Sequence, residues 1–191
     1  MIDFELDGRP AIVAVAGPNG AGKTTFFQLF LADAGLRTVN ADDISRGLDV
    51  TAYEAAALAE ATRRHLVQRR ESLIFETVFS DPVGAKIAFL AEVATAGYQV
   101  VLCFIGIAGP AMSEQRVATR VSRGGHDVPL DKLTSRFPRT VANLKIAIQK
   151  LPIVLVYDNS DSATPFRKVA EYQNGRAISL VKPLPGWLPQ I

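Results

Sequence analysis

The sequence predicts an open α/β fold, with a mainly parallel sheet and helices packed on its faces. Three observations predict it. Continuous apolar runs recur along the chain: Ala11-Ile12-Val13-Ala14-Val15-Ala16, Val100-Val101-Leu102-Cys103-Phe104-Ile105 and Ile153-Val154-Leu155-Val156-Tyr157. They lack the polar alternation of a half-exposed strand and suit strands buried on both faces. Segments with apolar residues at helical spacing lie between them, beginning with Phe26, Leu29, Phe30 and Ala34. The first apolar run also leads straight into Gly17-Pro18-Asn19-Gly20-Ala21-Gly22-Lys23-Thr24, which fits the pattern G-x-x-x-x-G-K-[ST].

That stretch has a complete physical logic as a phosphate cradle. Glycines let successive backbone N–H groups turn inward around an anion. A helix starting at about Lys23 directs the positive end of its dipole at the same point. Lys23 would reach the β- and γ-phosphates, and the Thr24 hydroxyl would ligate Mg²⁺. At average residue usage the four fixed positions arise by chance in fewer than about one chain in a hundred of this length. Gly17, Pro18, Asn19, Gly20, Ala21, Gly22, Lys23, Thr24 and the adjacent Thr25 are the candidate nucleotide-binding residues. A dinucleotide loop is the competing reading, because Asp42 and Asp43 follow about twenty residues on. It fails: G-x-G-x-x-G is not present, and Lys23-Thr24 would be unexplained. The expected ligand is a nucleoside triphosphate with Mg²⁺.

The totals narrow the class. A chain of 191 residues is expected to form one domain over 1–191, large enough for a proper core. Charge is nearly balanced, 21 basic against 19 acidic residues, so no strong field for a polyanion is implied. One cysteine, Cys103, lies inside an apolar run and reads as a packed thiol. With two histidines besides, neither a disulfide framework nor a zinc cluster is expected. A secretory signal and an apolar stretch of membrane length are both missing, so the expectation is a soluble, cytoplasmic protein with no membrane partner.

In chain order, Met1 to Pro10 reads as an arm or an edge strand. Gly35 closes the first helix, and Arg37-Thr38-Val39-Asn40 makes a short second strand. Asp42 and Asp43 follow at its C-terminal end, the side on which ligands gather in such sheets. An Asp there could take a proton from an attacking hydroxyl or organise Mg²⁺ through water. The plainer alternative is a cap for a helix beginning near Ile44. Thr51 to Arg70 reads as a long helix with Ala52, Ala55, Ala59, Thr62 and Leu66 inward and a Glu60–Arg64 pair outside. Arg63, Arg64, Arg69, Arg70 and His65 read as a solvated face, because no aromatic residues are interleaved with them. Ser72 to Thr77 is a third strand ending at Glu76, a candidate for the metal's water shell or a substrate hydroxyl, although an ordinary Walker B carries Asp. Asp81-Pro82 is expected to open the next helix, with Ile87, Leu90 and Ala94 inward and Gly97 at its end. The strand from Tyr98 to Ile105 ends without an acid.

Arg116, Arg120 and Arg123 fall at i, i+4 and i+7 and share one helix face. Gly124-Gly125 then offers a hinge, and Arg136 and Arg139 follow across Pro138. An arginine-bearing lid over about 116–139 is what phosphoryl transfer needs, since guanidinium groups neutralise the equatorial oxygens and closure excludes water. A helix from about Thr140 to Lys150 precedes the fifth strand. Asp158-Asn159 ends that strand, bordering the nucleotide's base or making a turn. Phe166 to Tyr172 and Ala177 to Val181 read as a hairpin through Asn174-Gly175, and the Pro-rich end with Trp187 is expected to fold back on the domain.

Several strings together resemble the zeta-toxin family of P-loop kinases, in particular its short bacterial branch. They are Gly17–Thr24, Asn40-Ala41-Asp42, Phe75-Glu76-Thr77-Val78-Phe79-Ser80-Asp81-Pro82, the run from Arg120 through Gly124-Gly125-His126 to Pro129, and Tyr157-Asp158-Asn159-Ser160. The resemblance implies a three-layer P-loop fold with a five-stranded parallel sheet in the order 2-3-1-4-5. It also implies transfer of a phosphoryl group from ATP to a sugar hydroxyl, which in the toxins belongs to a UDP-N-acetyl-hexosamine. On that pattern Asp42 is the general base, Lys23 binds phosphates, Thr24 holds Mg²⁺ and Glu76 contacts the acceptor. Arg120, with Arg116 and Arg123, stabilises the transferring group, and an antitoxin protein becomes a possible partner. Two departures stand out: His126 lies near where the toxins carry a second lid arginine, and the chain is shorter than theirs. Two other classes share parts of the pattern. An ATP-binding switch or ATPase needs no acceptor. A polynucleotide 5′-kinase needs a basic groove that the charge balance does not supply, so nucleic acid is not an expected partner.

Overall fold

Ala11–Ala16 (β1) is buried at every residue, as an unbroken apolar run demands, and it occupies the interior of the sheet. The computed structural model describes residues 6–124 and 128–190. The arm expected at Met1–Pro10 falls partly outside them, and the hinge residue Gly125 and the lid position His126 lie wholly outside. The parallel strands β2 (Arg37–Thr38), β3 (Leu73–Thr77), β4 (Gln99–Gly106) and β5 (Ile153–Asp158) join β1 in the order β2-β3-β1-β4-β5. This is the order that the resemblance implied. Two antiparallel strands, β6 (Arg167–Gln173) and β7 (Arg176–Leu180), extend the same sheet to seven strands. Their turn, Asn174 (φ 49°) and Gly175 (φ 78°), has the two positive φ angles that a tight hairpin prefers.

Register places the site. Val15 stands opposite Glu76 and Ala16 opposite Thr77, so β1 and β3 deliver the phosphate-loop sequence and the acid side by side at their C-terminal ends. One sheet face packs Phe75, Leu90, Leu102, Phe104, Leu144 and Ile148; the other packs Val13, Val15, Phe26, Ile105, Phe137 and Leu155. Cys103 is fully buried in that second layer, and burial pushes its thiol up to about 12, as a packed core thiol should behave. Trp187 does fold back: a Cβ on Gly106 would lie 2.2 Å from its ring, and its Nε1 donates to Asp158 Oδ1 at 3.0 Å.

The helices are α1 (Lys23–Phe30), α2 (Ala41–Leu48), α3 (Ala52–Gln68), α4 (Ala85–Thr95), α5 (Pro110–Ser122) and α6 (Leu130–Lys150). Four expectations need correction. The helix expected near Ile44 begins at Ala41, because Asn40 is the cap and accepts from Asp42 N at 3.0 Å. The helix expected to open at Asp81-Pro82 begins at Ala85: Gly84 (φ 69°) is its cap, and Asp81 reaches across the intervening turn to accept from Ala85 N. In α3, Ala55, Ala59 and Leu66 face inward, but Thr62 is exposed and Arg63 takes the buried place; the Ala52 side chain is outside the described set. The helix expected from Thr140 instead runs unbroken from Leu130 through Pro138. Proline removes the donor to the carbonyl four residues back, but Leu133, Phe137, Thr140 and Leu144 form one buried stripe across it, so packing overrides the local break. Among the described residues no helix is long and apolar enough to cross a membrane.

Candidate active site

The phosphate loop is held from three sides. A Cβ on Gly17 (φ 148°) would lie 2.1 Å from the Ile105 carbonyl oxygen, so only glycine lets the loop leave β1 over β4. From α5, Ser113 donates its hydroxyl to Asn19 O at 2.6 Å, and Arg116 reaches Gly20 O at 3.5 Å. From the end of β5, buried Asn159 donates to Ala21 O at 2.8 Å and accepts from Phe166 N at 3.3 Å. The sequence left Asn159 between a base contact and a turn; its place is that of a strut. Gly22, at φ 90°, caps α1, and the first residues of that helix, Lys23, Thr24 and Thr25, line the cleft.

Lys23 donates from Nζ to Gly17 O and Pro18 O, both at 3.0 Å. Burial pushes its pKa down to about 8, with Arg120 adding to the fall while Glu76 and Asp42 oppose it. Thr24 donates from Oγ1 to Glu76 Oε2 at 3.0 Å, joining the loop to the end of β3. Burial raises the Glu76 pKa, against the pull of Lys23 and the Thr24 hydrogen bond. The loop that follows Glu76 is clamped by α6: Thr140 donates to Val78 O at 2.9 Å, and Asn143 to Phe79 O and Asp81 O, each at 2.9 Å.

Lys23, Thr24 and Glu76 line one cleft of about 540 Å³. Asn19, Gly20, Gly22, Lys23, Thr24 and Thr25 form one wall, whereas Gly17, Pro18 and Ala21 sit behind it. Asp42 and Glu76 line the cleft; Asp43 does not, and its carboxylate pairs with Arg46 one turn along α2. Arg116 and Arg120 from α5 and Arg136 from α6 also line it. Arg123, expected with them, is the exposed residue capping the end of α5 and lies outside the lining, as does Arg139. Two further lining residues, Arg63 and Lys86, were not singled out as site residues by the sequence. For Arg63 the missing signal was the ring it covers, Phe75, which comes from another element.

The oxygen donors suit Mg²⁺ rather than a softer metal. Among the described residues no group of three or more His, Cys, Asp and Glu side chains stands ready to hold an ion. A hydroxyl and one or two carboxylates beside a phosphate cradle are instead the donor set of an ion bound mostly by water and phosphate oxygens.

The zeta-toxin family profile matches residues 3–170. No curated protein sequence matches the chain. Among solved structures, a chain of the AvrRxo1-ORF1:AvrRxo1-ORF2 complex with sulphate ions superposes with TM-score 0.72 at 18% identity, covering 93% of this chain and 62% of that one. A chain of the same complex with ATP gives 0.70 at 20% identity, covering 91% and 61%. A chain of the PezAT toxin–antitoxin system of Streptococcus pneumoniae gives 0.59 at 15% identity, covering 88% and 74%. This chain thus spans about three fifths of the length of the AvrRxo1 chains, at 62% and 61%. Those likenesses establish the P-loop kinase fold that the sheet order already showed. With the profile covering nearly the whole sequence, the chain belongs to the zeta-toxin family.

Proposed function

We propose that the protein transfers the γ-phosphoryl group of ATP to a hydroxyl of a small-molecule acceptor, a nucleotide sugar such as UDP-N-acetylglucosamine being the first to try. The observation that carries this reading is the convergence on one cleft of Lys23, the Thr24–Glu76 pair, Asp42 and the arginines of α5 and α6. The loop N–H groups and Lys23 hold the β- and γ-phosphates. Bound Mg²⁺, held by Thr24 Oγ1 and through water by Glu76, would neutralise charge across those phosphates. Asp42 accepts the proton of the acceptor hydroxyl as its oxygen bonds to the γ-phosphorus. The bond from that phosphorus to the β-phosphate oxygen breaks, and ADP leaves. Arg120, with Arg116 and Arg136, neutralises the transferring group. The cleft runs past the phosphate loop to α3 and α4, so it offers an acceptor far more room than a single hydrolytic water needs. The ATP-bound AvrRxo1 complex supports the choice of nucleotide, and the PezAT system supports a protein antitoxin as partner.

The test separates the base from the metal organiser. Asp42→Asn should lower transfer by roughly 10²–10⁴-fold, the usual worth of a general base, and leave the Kd for Mg·ATP within about threefold. Undiminished transfer would remove Asp42 from the chemistry; loss of ATP binding as well would make it an organiser of Mg²⁺.

A further inference from the structure

The two braces of the phosphate loop leave the sheet side by side. Asn159, which holds Ala21 O, directly follows β5, and its own N–H donates at 2.9 Å to Gly106 O at the end of β4. Beyond Gly106, residues 107–109 lead into α5, whose Ser113 and Arg116 hold Asn19 O and Gly20 O. One side chain touches both strand ends. A Cβ on Gly106 would come within 2.2 Å of the Trp187 ring, and Trp187 Nε1 donates to Asp158 Oδ1 at 3.0 Å. Gly106 does not have a positive φ, so the close approach of the indole, and not the backbone conformation, is what requires glycine there.

The segment that carries Trp187 is itself fastened. Arg167 donates to Val181 O at 3.5 Å and to Pro183 O at 3.0 Å, and it pairs with Asp158 Oδ2 at 3.7 Å. Asp158 thus receives the indole on one carboxylate oxygen and the arginine on the other, one residue before Asn159. Its Oδ1 also accepts from the Ser160 N–H and hydroxyl. Residues 181–188 form a strap that lies beyond residue 170, where the family profile ends, and none of them lines the cleft. We propose that Trp187 is a positioning residue for the nucleotide. It sets how the ends of β4 and β5 sit and, through Asn159 and α5, the shape of the phosphate loop, without touching the ligand. A loop already held in its binding shape loses little entropy when phosphates arrive, whereas a loop whose braces shift must be ordered against that loss. Such coupling is reciprocal, so a bound nucleotide must also act on the indole. The proposal rests on the reading that the cleft binds ATP, and adds to it a remote control of affinity.

Trp187 is the one tryptophan of the chain, so its emission reports on this contact alone. The full chain is titrated with the non-hydrolysable analogue Mg·AMPPNP by calorimetry and by tryptophan fluorescence. The temperature is kept well below melting, where a loss of stability leaves the folded fraction, and with it the Kd, unchanged. No calorimetric binding to the wild type sinks the nucleotide reading itself. With binding, saturation should change the Trp187 emission. Trp187→Phe keeps a ring beside Gly106 but removes the indole donor, and should raise the Kd about threefold; Trp187→Ala should raise it about tenfold. Gly106→Ala puts a methyl where the ring lies and should match Trp187→Ala, and the double variant should bind no worse than either single one. A Kd within about twofold of the wild type in Trp187→Ala overturns the proposal, and a lowered melting temperature beside it would make the strap purely structural. A Gly106→Ala effect that persists in full in the Trp187→Ala background overturns it too, because the route would then be the strand and not the indole. Should the variants not fold, the wild type decides: a Trp187 emission that saturating AMPPNP leaves unchanged contradicts the coupling.

Discussion

In the proposed reaction Lys23 is the residue on which nucleotide binding turns, and its protonation would give that binding a pH signature. In the free protein its pKa is pushed down to about 8 by burial; beside the phosphates of ATP the charged form is strongly favoured, so the bound-state value is higher. Below about pH 8 the lysine is protonated in both states and affinity is flat. Above it, binding must take up a proton, and the Kd should rise by up to about tenfold per pH unit. Calorimetry at pH 7 and pH 9 in buffers of different ionisation enthalpy measures the uptake directly; a flat profile with no uptake would contradict the assignment. At the next residue, Thr24→Val removes a hydroxyl that donates to Glu76 at 3.0 Å and that would, in the proposed reaction, ligate Mg²⁺. Its ATP affinity at saturating Mg²⁺ should change little, but turnover should fall by about 10²-fold and need more Mg²⁺ to reach half-maximum. At this scale the sequence was most legible where chemistry and backbone geometry are encoded together, as in Gly17–Thr24. It was least legible at Arg63, whose partner Phe75 lies on β3. A search for interleaved aromatics along one helix cannot see a ring that arrives from the sheet. The choice between Asp42 and Asp43 was also hidden, because it depends on one residue of helix register set by the Asn40 cap.

Among the elements, the phosphate loop is shaped by distant struts as much as by its own glycines. Asn159, 138 positions away from Ala21 in sequence, satisfies that carbonyl and the Phe166 N–H at once. Replacing it with Ala leaves a buried carbonyl unpaired, at a cost of about 1–3 kcal/mol, and a half-buried N–H without this partner. Asn159→Ala should therefore lower the urea midpoint and weaken ATP binding together; a drop in stability with unchanged affinity would mean the loop does not depend on this strut. α5 and α6 show why the lid was only half legible. The arginine face of α5 follows from helical spacing, and Arg116 and Arg120 do reach the cleft while Arg123 does not. Pro138 reads locally as a break, but the buried stripe from Leu133 to Leu144 carries the helix across it. As a result Arg136 and the clamp residues Thr140 and Asn143 share one continuous element. Arg136 and the residues that clamp the loop after Glu76 thus belong to the same helix.

For the whole molecule, the sheet order decides everything else. With β1 between β3 and β4, the loop, Glu76 and Asp42 gather at the C-terminal ends of the strands, although they are spread over 60 positions of sequence. The buried apolar runs and the Asn174-Gly175 turn announced the strands, but their lateral order came from family resemblance, since nothing local encodes which strand lies beside which. The C-terminal segment lies against the ends of β4 and β5. Trp187 packs against Gly106 and Phe104 and donates to Asp158, the neighbour of Asn159. Trp187→Ala should cost about 2 kcal/mol, less than a fully buried tryptophan would, and a melting temperature equal to the wild type would mean this segment contributes nothing to stability.

In the proposed reaction a phosphoryl group leaves ATP for an acceptor alcohol, and the fate of the γ-phosphate tests this most directly. Purified protein, Mg²⁺ and γ-labelled ATP would be offered nucleotide sugars, sugar phosphates, small alcohols and 5′-hydroxyl oligonucleotides, with Lys23→Ala as the control. Label should appear on a small-molecule alcohol such as UDP-N-acetylglucosamine and be lost in the control. Label released only as inorganic phosphate, whatever is offered, would contradict the kinase assignment and identify an ATPase.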